Sequence, residues 1–233
     1  MTMHPVVSAD EWNAARKALL AREKEFTRVR DALSAARRDL PWQKVEKDYV
    51  FTGERGPVTL SELFAGRDQL IVQHFMFGPD WKAGCKSCSF WMDNYDGIVV
   101  HLNHRDVSLV AISRAPIETL LAYRKRMGWH FDWVSSLGNS FNYDFAVSFT
   151  PDDVASGAKN YNFGTLPTYG EEAPGISIFA RDSDTIFRTY STYARGLDML
   201  NGAYHLLDLV PKGRDEDDGM DWLRRRDEYE TIS

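Results

Sequence analysis

Cysteine is scarce in this sequence, which has two cysteines among 233 residues. A small secreted scaffold held together by disulfides needs more than one pair, so that class is excluded. Basic residues are outnumbered, and the formal net charge is -6. A non-specific nucleic-acid binder needs a basic face to neutralise phosphates, so we expect no nucleic-acid partner.

Long apolar runs are also missing. No stretch approaches the roughly 18 apolar residues that a membrane-spanning helix needs. The first residues, MTMHPVVSADEW, lack the apolar core of a signal peptide. We therefore expect a cytoplasmic protein without a membrane partner. Hydrophobic residues still make up 43% of the chain, which is enough for a large core in one decorated domain.

The stretch from Leu70 to Val100 carries the most specific signal. It opens with an apolar, β-branched run that predicts a strand buried on both faces, and Gly78-Pro79 ends that strand. Cys85 and Cys88 follow as a C-x-x-C pair, and apolar residues then recur at helical spacing as far as Leu102. At a helix N-terminus, free N–H groups and the macrodipole favour a thiolate, so a cysteine pKa there falls from about 8.5 to roughly 3.5 to 7.5.

This pattern predicts thiol-disulfide exchange, which requires no cofactor. Cys85 lies nearer the loop and would attack a disulfide as the thiolate, and Cys88 would resolve the mixed disulfide. His74 would accept the proton from Cys88 if its side chain points towards the loop; otherwise it is a hydrogen-bonded core histidine. Lys86 would lower the pKa of the nearby thiol further. Trp81 is interpreted as a core or rim aromatic residue or as a substrate contact.

The sequence leaves two other interpretations of the role of the cysteines open. In the first, Cys85 and Cys88 bind zinc together with His101 and His104, whose spacing resembles that of a two-Cys, two-His zinc finger. The predicted helix argues against it, because a rise of about 1.5 Å per residue separates Cys88 from His101 by about 20 Å. We therefore expect no metal site. In the second reading, the cysteines belong to a structural module without redox turnover.

Residues 1-40 predict one long helical extension. Ser8 and Glu11 have the spacing of a capping box, and at about 1.5 Å per residue the helix would be about 45 Å long. Five apolar residues repeat along it at intervals of seven: Trp12, Leu19, Phe26, Leu33 and Leu40. This apolar seam either packs along its own domain or pairs with a second copy, and the second alternative predicts a homodimer through the helix.

Residues 41-210 alternate between predicted strands and helices, which indicates a parallel βαβ core. Within them, residues 137-175 show no lasting period and predict a loop-rich insertion. Residues 211-233 predict a solvated tail of mixed charge. The other predicted elements are a strand at Val107–Ile112, a helix at Pro116–Met127, a hairpin of Ile176–Phe179 with Thr185–Tyr190, and a helix at Leu197–Leu209.

Several motifs together resemble a bacterial thioredoxin-like family described as predicted dithiol-disulfide oxidoreductases. The matching stretches extend over nearly the whole chain: EKDYVF, LIVQHFMFGPDW, the C-x-x-C with SFWMDN after it, LVAISRAP, RMGW, NYDFAVSF and TYSTYARGLD. The resemblance implies an α/β thioredoxin-like three-layer sandwich, here with a long N-terminal helix and a large loop-rich insertion. It also implies thiol chemistry at the C-x-x-C on an unidentified protein or small-molecule disulfide.

The chain differs from better-known thioredoxin-like proteins at several positions, so some properties of those proteins cannot be transferred to it. Thioredoxin has Trp directly before its first Cys, whereas Trp81 lies four residues upstream here, so a redox potential does not carry over. Peroxiredoxins need Thr or Ser three residues before the reactive Cys and Pro seven before, but this chain has Lys82 and Gly78, so peroxidase activity is not expected.

Gln73 or His74 falls where thioredoxin has a buried Asp. Pro174 lies near the position of its cis-proline, one residue early.

Overall fold

A computed structural model of the chain describes residues 4–158, 160–168, 170–217 and 219–230. Residues up to Pro41 form one compact unit, and residues from Trp42 onward form a second. The first unit consists mainly of one helix, and the second contains the sheet, the other helices and both cysteines.

Helix α1 spans Ala9–Arg38, 30 residues, which confirms the predicted long helix. The capping box at its start is formed: the Glu11 N–H donates to Ser8 Oγ at 3.3 Å, and the Ser8 N–H donates to the Glu11 carboxylate at 2.9 Å. Two arginines in the last turn complement the negative end of the helix dipole. The helix ends before Leu40, because the proline that follows cannot continue it.

The second unit is built on one eight-stranded mixed sheet. Its strands are β1 Gln43–Lys44, β2 Val50–Gly53, β3 Gly56–Thr59, β4 Gln69–His74, β5 Val107–Ser113, β6 Asp132–Ser135, β7 Gly175–Asp182 and β8 Thr185–Tyr193. They lie in the order β1-β8-β7-β4-β5-β6-β2-β3. Strands β4, β5 and β6 are parallel, which confirms the βαβ core. Strand β7 pairs antiparallel with both β4 and β8, which confirms the hairpin.

Two helices of the second unit are shorter than the sequence predicts, the one that follows the C-x-x-C and the one near the end of the domain. The α-helices are α2 Lys86–Tyr95, α3 Val99–Asn103, α4 Ile117–Met127, α5 Phe141–Asp144, α6 Pro151–Ser156 and α7 Gly202–Leu207. Three 3-10 helices add Glu62–Phe64, Asp96–Ile98 and Ala194–Leu200. Helix α4 begins one residue later than expected, because Pro116 is its N-cap, and it ends at Met127 as expected. The C-cap Gly128 has a φ of 67°, a left-handed conformation that suits glycine.

Two predicted helices are interrupted for local reasons. The helix that begins at the C-x-x-C changes to 3-10 geometry at Asp96. The Asp96 carboxylate accepts hydrogen bonds from the backbone N–H groups of His130 and Phe131, so this side chain is not directed to solvent as on an exposed helix face. The helix predicted for Leu197–Leu209 is broken by Asn201, which is extended and caps α7 by accepting the N–H groups of the next turn.

Both faces of the sheet are buried, because apolar residues alternate between two clusters along β5. Leu109 and Ala111 join the cluster that contains α2 and α4. Val110 and Ile112 join the cluster on the other face, which is covered by aromatic residues of the 137-175 insertion. The chain therefore has helices on one face of the sheet and the insertion on the other.

The charged segment after residue 210 packs against the domain, contrary to the expected solvated tail. Leu223 is completely buried, and Trp222 makes an edge-to-face contact with Phe90 of α2 at 5.8 Å between ring centroids. Arg126 of α4 pairs with Asp227 at 2.7 Å. This packing could not be predicted from the composition, because the few apolar residues of the tail are separated by charged residues that form ion pairs. Among the described residues, no helix has the length and apolar character needed to cross a membrane.

Candidate functional site

The loop after β4 brings the C-x-x-C back to the end of that strand. The Cys85 N–H donates to the Met76 carbonyl at 3.1 Å, and the Met76 N–H points to Cys88 Sγ at 3.5 Å. Gly84 fits closely beside the core, since a Cβ there would lie 2.6 Å from the Phe75 ring. These contacts fix the thiols at the carboxyl end of a buried strand, where open α/β sheets usually bind ligands.

Cys85 is the N-cap residue of α2, and Cys88 lies in its first turn. The Cys85 side chain is partly exposed, whereas Cys88 is 3% exposed. Ser89 secures the start of the helix, since its hydroxyl donates to the Cys85 carbonyl at 2.8 Å and contacts the Tyr123 hydroxyl at 2.9 Å. The position expected for the C-x-x-C, at a helix N-terminus after a buried strand, is therefore the observed one.

The two thiols have opposite electrostatic environments. A hydrogen bond from the Cys88 thiol, supported by the backbone N–H groups of Cys88 and Ser87, lowers the pKa of Cys85 to about 6. The same hydrogen bond, together with burial, raises the pKa of Cys88 well above its ordinary value. Both shifts favour a thiolate at Cys85 and a protonated thiol at Cys88. The lowering comes mainly from these groups rather than from Lys86.

A cavity of about 410 Å³ opens beside both cysteines. Its walls come from three separate segments of the second unit: the strand–loop–helix region around the cysteines, the residues before β7 and after β8, and the tail. Gln73, Met76, Trp91, Pro174, Leu197 and Met220 line it. The Trp91 side chain donates to the Leu197 carbonyl at 2.8 Å, which ties α2 to the segment after β8.

His74 does not point towards the cysteines and is therefore not the proton acceptor that we considered for Cys88. It lies on the opposite face of β4, where its ring packs near Phe141 and Phe145 and its Nε2 contacts Ser177 Oγ at 2.8 Å. Burial, with a smaller effect of Arg188, lowers the pKa of His74 to about 3. The alternative interpretation, a hydrogen-bonded core histidine, describes this geometry.

Gln73 is the residue of β4 that faces the site. It lines the cavity and is 1% exposed. Its Nε2 donates to the His74 carbonyl at 3.3 Å, while its Oε1 has no hydrogen-bond partner among the described residues. The sequence offered Gln73 or His74 for this position without deciding between them.

The remaining candidates differ in their relation to the cavity. Trp81 is outside the lining and is 39% exposed, with its backbone N–H bonded to the Gly78 carbonyl at 3.2 Å. Lys86 is the first residue of α2 and is half-buried. Pro174 lines the cavity, and its preceding peptide bond is trans, as are the others in the described chain.

The four residues of the zinc alternative lie on different elements. Cys85 and Cys88 belong to the start of α2, whereas His101 lies in α3 beyond the 3-10 interruption and His104 follows that helix. Within the described ranges, no group of three or more His, Cys, Asp or Glu side chains is placed to hold a metal ion.

One residue that supports the site has no signal in the sequence. Arg225, in the tail, donates to the Gly84 carbonyl from Nη2 at 2.7 Å and from Nε at 3.1 Å. The accepting carbonyl belongs to the peptide immediately before Cys85. Glu228 holds the same guanidinium at 2.9 Å.

Comparison with solved structures identifies the fold. The chain is similar to a peroxidoxin, BcpB, from Mycobacterium tuberculosis, with 13% identity, a TM-score of 0.50, and coverage of 69% of this chain and 93% of that one. It is also similar to the bacterioferritin comigratory protein of Xanthomonas campestris, with 15% identity, a TM-score of 0.41, and coverage of 72% and 92%. The first of these likenesses confirms the expected α/β thioredoxin-like fold. At these identities, the likeness concerns the fold alone.

Sequence comparison places the chain in a family. A search of curated proteins finds no match. Residues 1–229 match the family described as "Bacterial protein of unknown function (DUF899)", which is nearly the whole of the chain. The chain therefore belongs to this bacterial family of unknown function.

Proposed function

We propose that the protein is a dithiol-disulfide oxidoreductase in which Cys85 is the attacking thiolate and Cys88 the resolving thiol. The observation that carries the proposal is the asymmetry of the pair: a partly exposed sulfur whose pKa is about 6 accepts a hydrogen bond from a buried sulfur whose pKa is raised. A thiolate is the nucleophile in disulfide exchange, and the reaction needs one exposed and one protected sulfur in that order.

The exchange has two steps. The Cys85 thiolate attacks one sulfur of the substrate, the substrate S–S bond breaks, and the other half leaves as a thiolate that takes the Cys88 proton. The Cys88 thiolate then attacks Cys85 Sγ, which forms the Cys85–Cys88 disulfide and releases the second half. This second half leaves as a thiolate and takes a proton from solvent to become a thiol. The substrate gains two electrons and the protein loses two, so a dithiol must afterwards reduce the protein.

Alkylation followed by mass spectrometry tests the proposal directly. Reduced native protein should take up one alkyl group readily, at Cys85, and protein oxidised in a graded glutathione series should lose that site reversibly. In Cys88→Ser, a disulfide substrate should remain trapped on Cys85, because the resolving sulfur is gone. Trapping on Cys88 in Cys85→Ser, or unchanged alkylation of both thiols after oxidation, contradicts the assignment. Protein that keeps one equivalent of zinc until a chelator is added would support the metal alternative.

Two further parts of the proposal concern the setting of the reaction. We place it in the cytoplasm, because a reducing compartment keeps such a pair in the dithiol form from which Cys85 attacks. We also propose a homodimer through α1, on the basis of the seven-residue apolar repeat that the helix carries. The dimer is tested separately from the thiol chemistry.

A further inference from the structure

We infer that the cavity beside the two thiols binds a small, uncharged, mainly apolar disulfide that carries a hydrogen-bond donor. The inference rests on the proposed function, which it narrows from disulfides in general to one chemical class. Three observations support it: the size and walls of the cavity, the pairing of the charges at its rim, and an unpartnered buried oxygen.

The cavity has the size of a small-molecule site. Its volume of about 410 Å³ lies within the range of roughly 300 to 1,000 Å³ that is typical of ligand pockets. Most of the residues that line it are apolar or weakly polar, among them Met76, Trp91, Leu197 and Met220. Such walls favour a ligand that loses apolar surface to them.

Charges at the rim are already paired. Arg195 lies 3.0 Å from Asp198, and Asp198 also accepts Arg214 at 3.4 Å. Arg195 is the one cationic side chain among the lining residues described, so a substrate carboxylate would have to compete with Asp198 for it. Moving an unpaired carboxylate against apolar walls is costly, and the cavity therefore disfavours anionic disulfides.

Gln73 supplies the polar contact. Its Oε1 is a buried hydrogen-bond acceptor without a partner among the described residues, and its side chain lines the same cavity as both cysteines. A buried acceptor without a partner costs free energy that a donor on a ligand would recover. An O–H or N–H group of the substrate therefore fits this position, whereas a carboxylate oxygen would meet another acceptor.

Single-turnover oxidation tests the inference with the full chain. Reduced protein, freed of dithiothreitol, is mixed with bis(2-hydroxyethyl) disulfide, with the similarly sized anion 3,3′-dithiodipropionate, or with insulin. Formation of the Cys85–Cys88 disulfide is followed by quenched alkylation, and each rate is divided by that of free dithiothreitol with the same disulfide. We expect the neutral compound to saturate the protein and to give the highest normalised rate, by about tenfold over the anion.

Substitution of Gln73 separates recognition from chemistry. Gln73→Met keeps the length of the side chain and removes the acceptor, so it should raise the half-saturating concentration of bis(2-hydroxyethyl) disulfide about tenfold. It should change the half-saturating concentration of diethyl disulfide, which has no donor, much less. The matched control is Gln69→Met at the exposed start of β4, outside the cavity, which should alter neither compound.

A second variant tests the cavity itself. Met220→Trp fills it from the tail and should slow both small neutral disulfides, whereas Leu206→Trp, on an exposed position of α7, should not. Any of three results would overturn the inference but not the proposed function. They are equal normalised rates for bis(2-hydroxyethyl) disulfide, 3,3′-dithiodipropionate and insulin, a higher normalised rate with insulin, and equal effects of Gln73→Met on both neutral compounds. Failure of every disulfide to oxidise Cys85 and Cys88 would overturn both.

Discussion

The two cysteines show how one short motif produces two different sulfurs. Cys85 is the N-cap of α2, and the Cys88 thiol together with the nearby backbone N–H groups of Ser87 and Cys88 lowers its pKa. Cys88 is one turn further on and is buried. The division of roles follows from their positions, since the first sulfur lies where charge is stabilised and the second where it is penalised.

The pH dependence of alkylation should report this division. Because the pKa of Cys85 is about 6, its rate of alkylation by iodoacetamide should rise as pH increases through about 6 and level off above it, while Cys88 stays nearly unreactive. Cys88→Ala removes the largest favourable interaction of the thiolate and should shift the midpoint to higher pH. His74→Asn, on the other face of β4, should leave the midpoint in place. A midpoint near that of a free cysteine in the native protein contradicts the expected stabilisation.

His74 should affect stability in acid rather than catalysis. Its pKa is lowered to about 3 in the folded protein from an ordinary 6.5, so in this pH interval the unfolded chain binds a proton that the folded one does not. The free energy of unfolding should therefore fall by about 1.4 kcal/mol per pH unit as pH decreases through that interval. The contribution is fully present above about pH 6.5. Urea titrations between pH 7 and 4 measure it, and in His74→Asn this part of the pH dependence should be absent.

The sequence alone does not determine which face of β4 is occupied by Gln73 and which by His74. Because β4 is apolar on both faces, the alternation that identifies the core side of a half-buried strand is missing. Moving the register by one residue exchanges the two side chains between faces. The sequence therefore located the pair but could not determine which residue faces the thiols.

At the scale of elements, the loop that leads to Cys85 depends on a segment far away in the sequence. Arg225 donates twice to the Gly84 carbonyl, and Met220 supplies part of the cavity wall. Both lie in the segment that the sequence predicts to be solvated. Strands β4, β5, β7 and β8, helix α4 and the start of the thiol helix could be predicted, because each has a local pattern. The packing of the tail could not, because it depends on contacts with residues more than 100 positions away.

Replacement of Arg225 should loosen this loop. Arg225→Leu leaves the buried Gly84 carbonyl without its two hydrogen bonds, which should lower the free energy of unfolding by about 1.5 to 3 kcal/mol. Amide exchange at Cys85 should also become faster. Arg224→Leu is the matched control, because Arg224 donates only to carbonyls of the tail itself at 2.8 and 2.9 Å. Denaturant titration and hydrogen exchange compare the two variants, and equal effects would show that the tail contact is not specific to the loop.

At the scale of the whole molecule, the second unit contains every part of the candidate site. The thiols follow β4, the opposite wall lies before β7 and after β8, and the tail closes one side. These segments adjoin because β7 pairs directly with β4 in the sheet. The thioredoxin-like topology thus explains why a motif near residue 85 meets residues near 174, 197 and 220. A cavity assembled in this way has no signature in any single stretch of sequence.

The first unit carries an apolar seam along α1. All residues of α1 are described and none is buried, although the helix keeps an apolar residue at every seventh position. A strict repeat of this length is typical of helices that pair along their length. We therefore predict a dimer in which the α1 seams contact each other, with Phe26 at the centre of the seam.

Phe26→Asp should separate that dimer without unfolding the protein. A carboxylate in a buried helix interface is an unpaired charge, and its cost of several kcal/mol is enough to dissociate a moderate dimer. Sedimentation at micromolar concentration should show a dimer for the parent chain and a folded monomer for Phe26→Asp. Thr27→Asp introduces the same charge one position away from the seam and should stay dimeric. A monomeric parent contradicts the prediction, and dissociation by both substitutions would indicate that net charge on the helix, rather than the apolar seam, controls association.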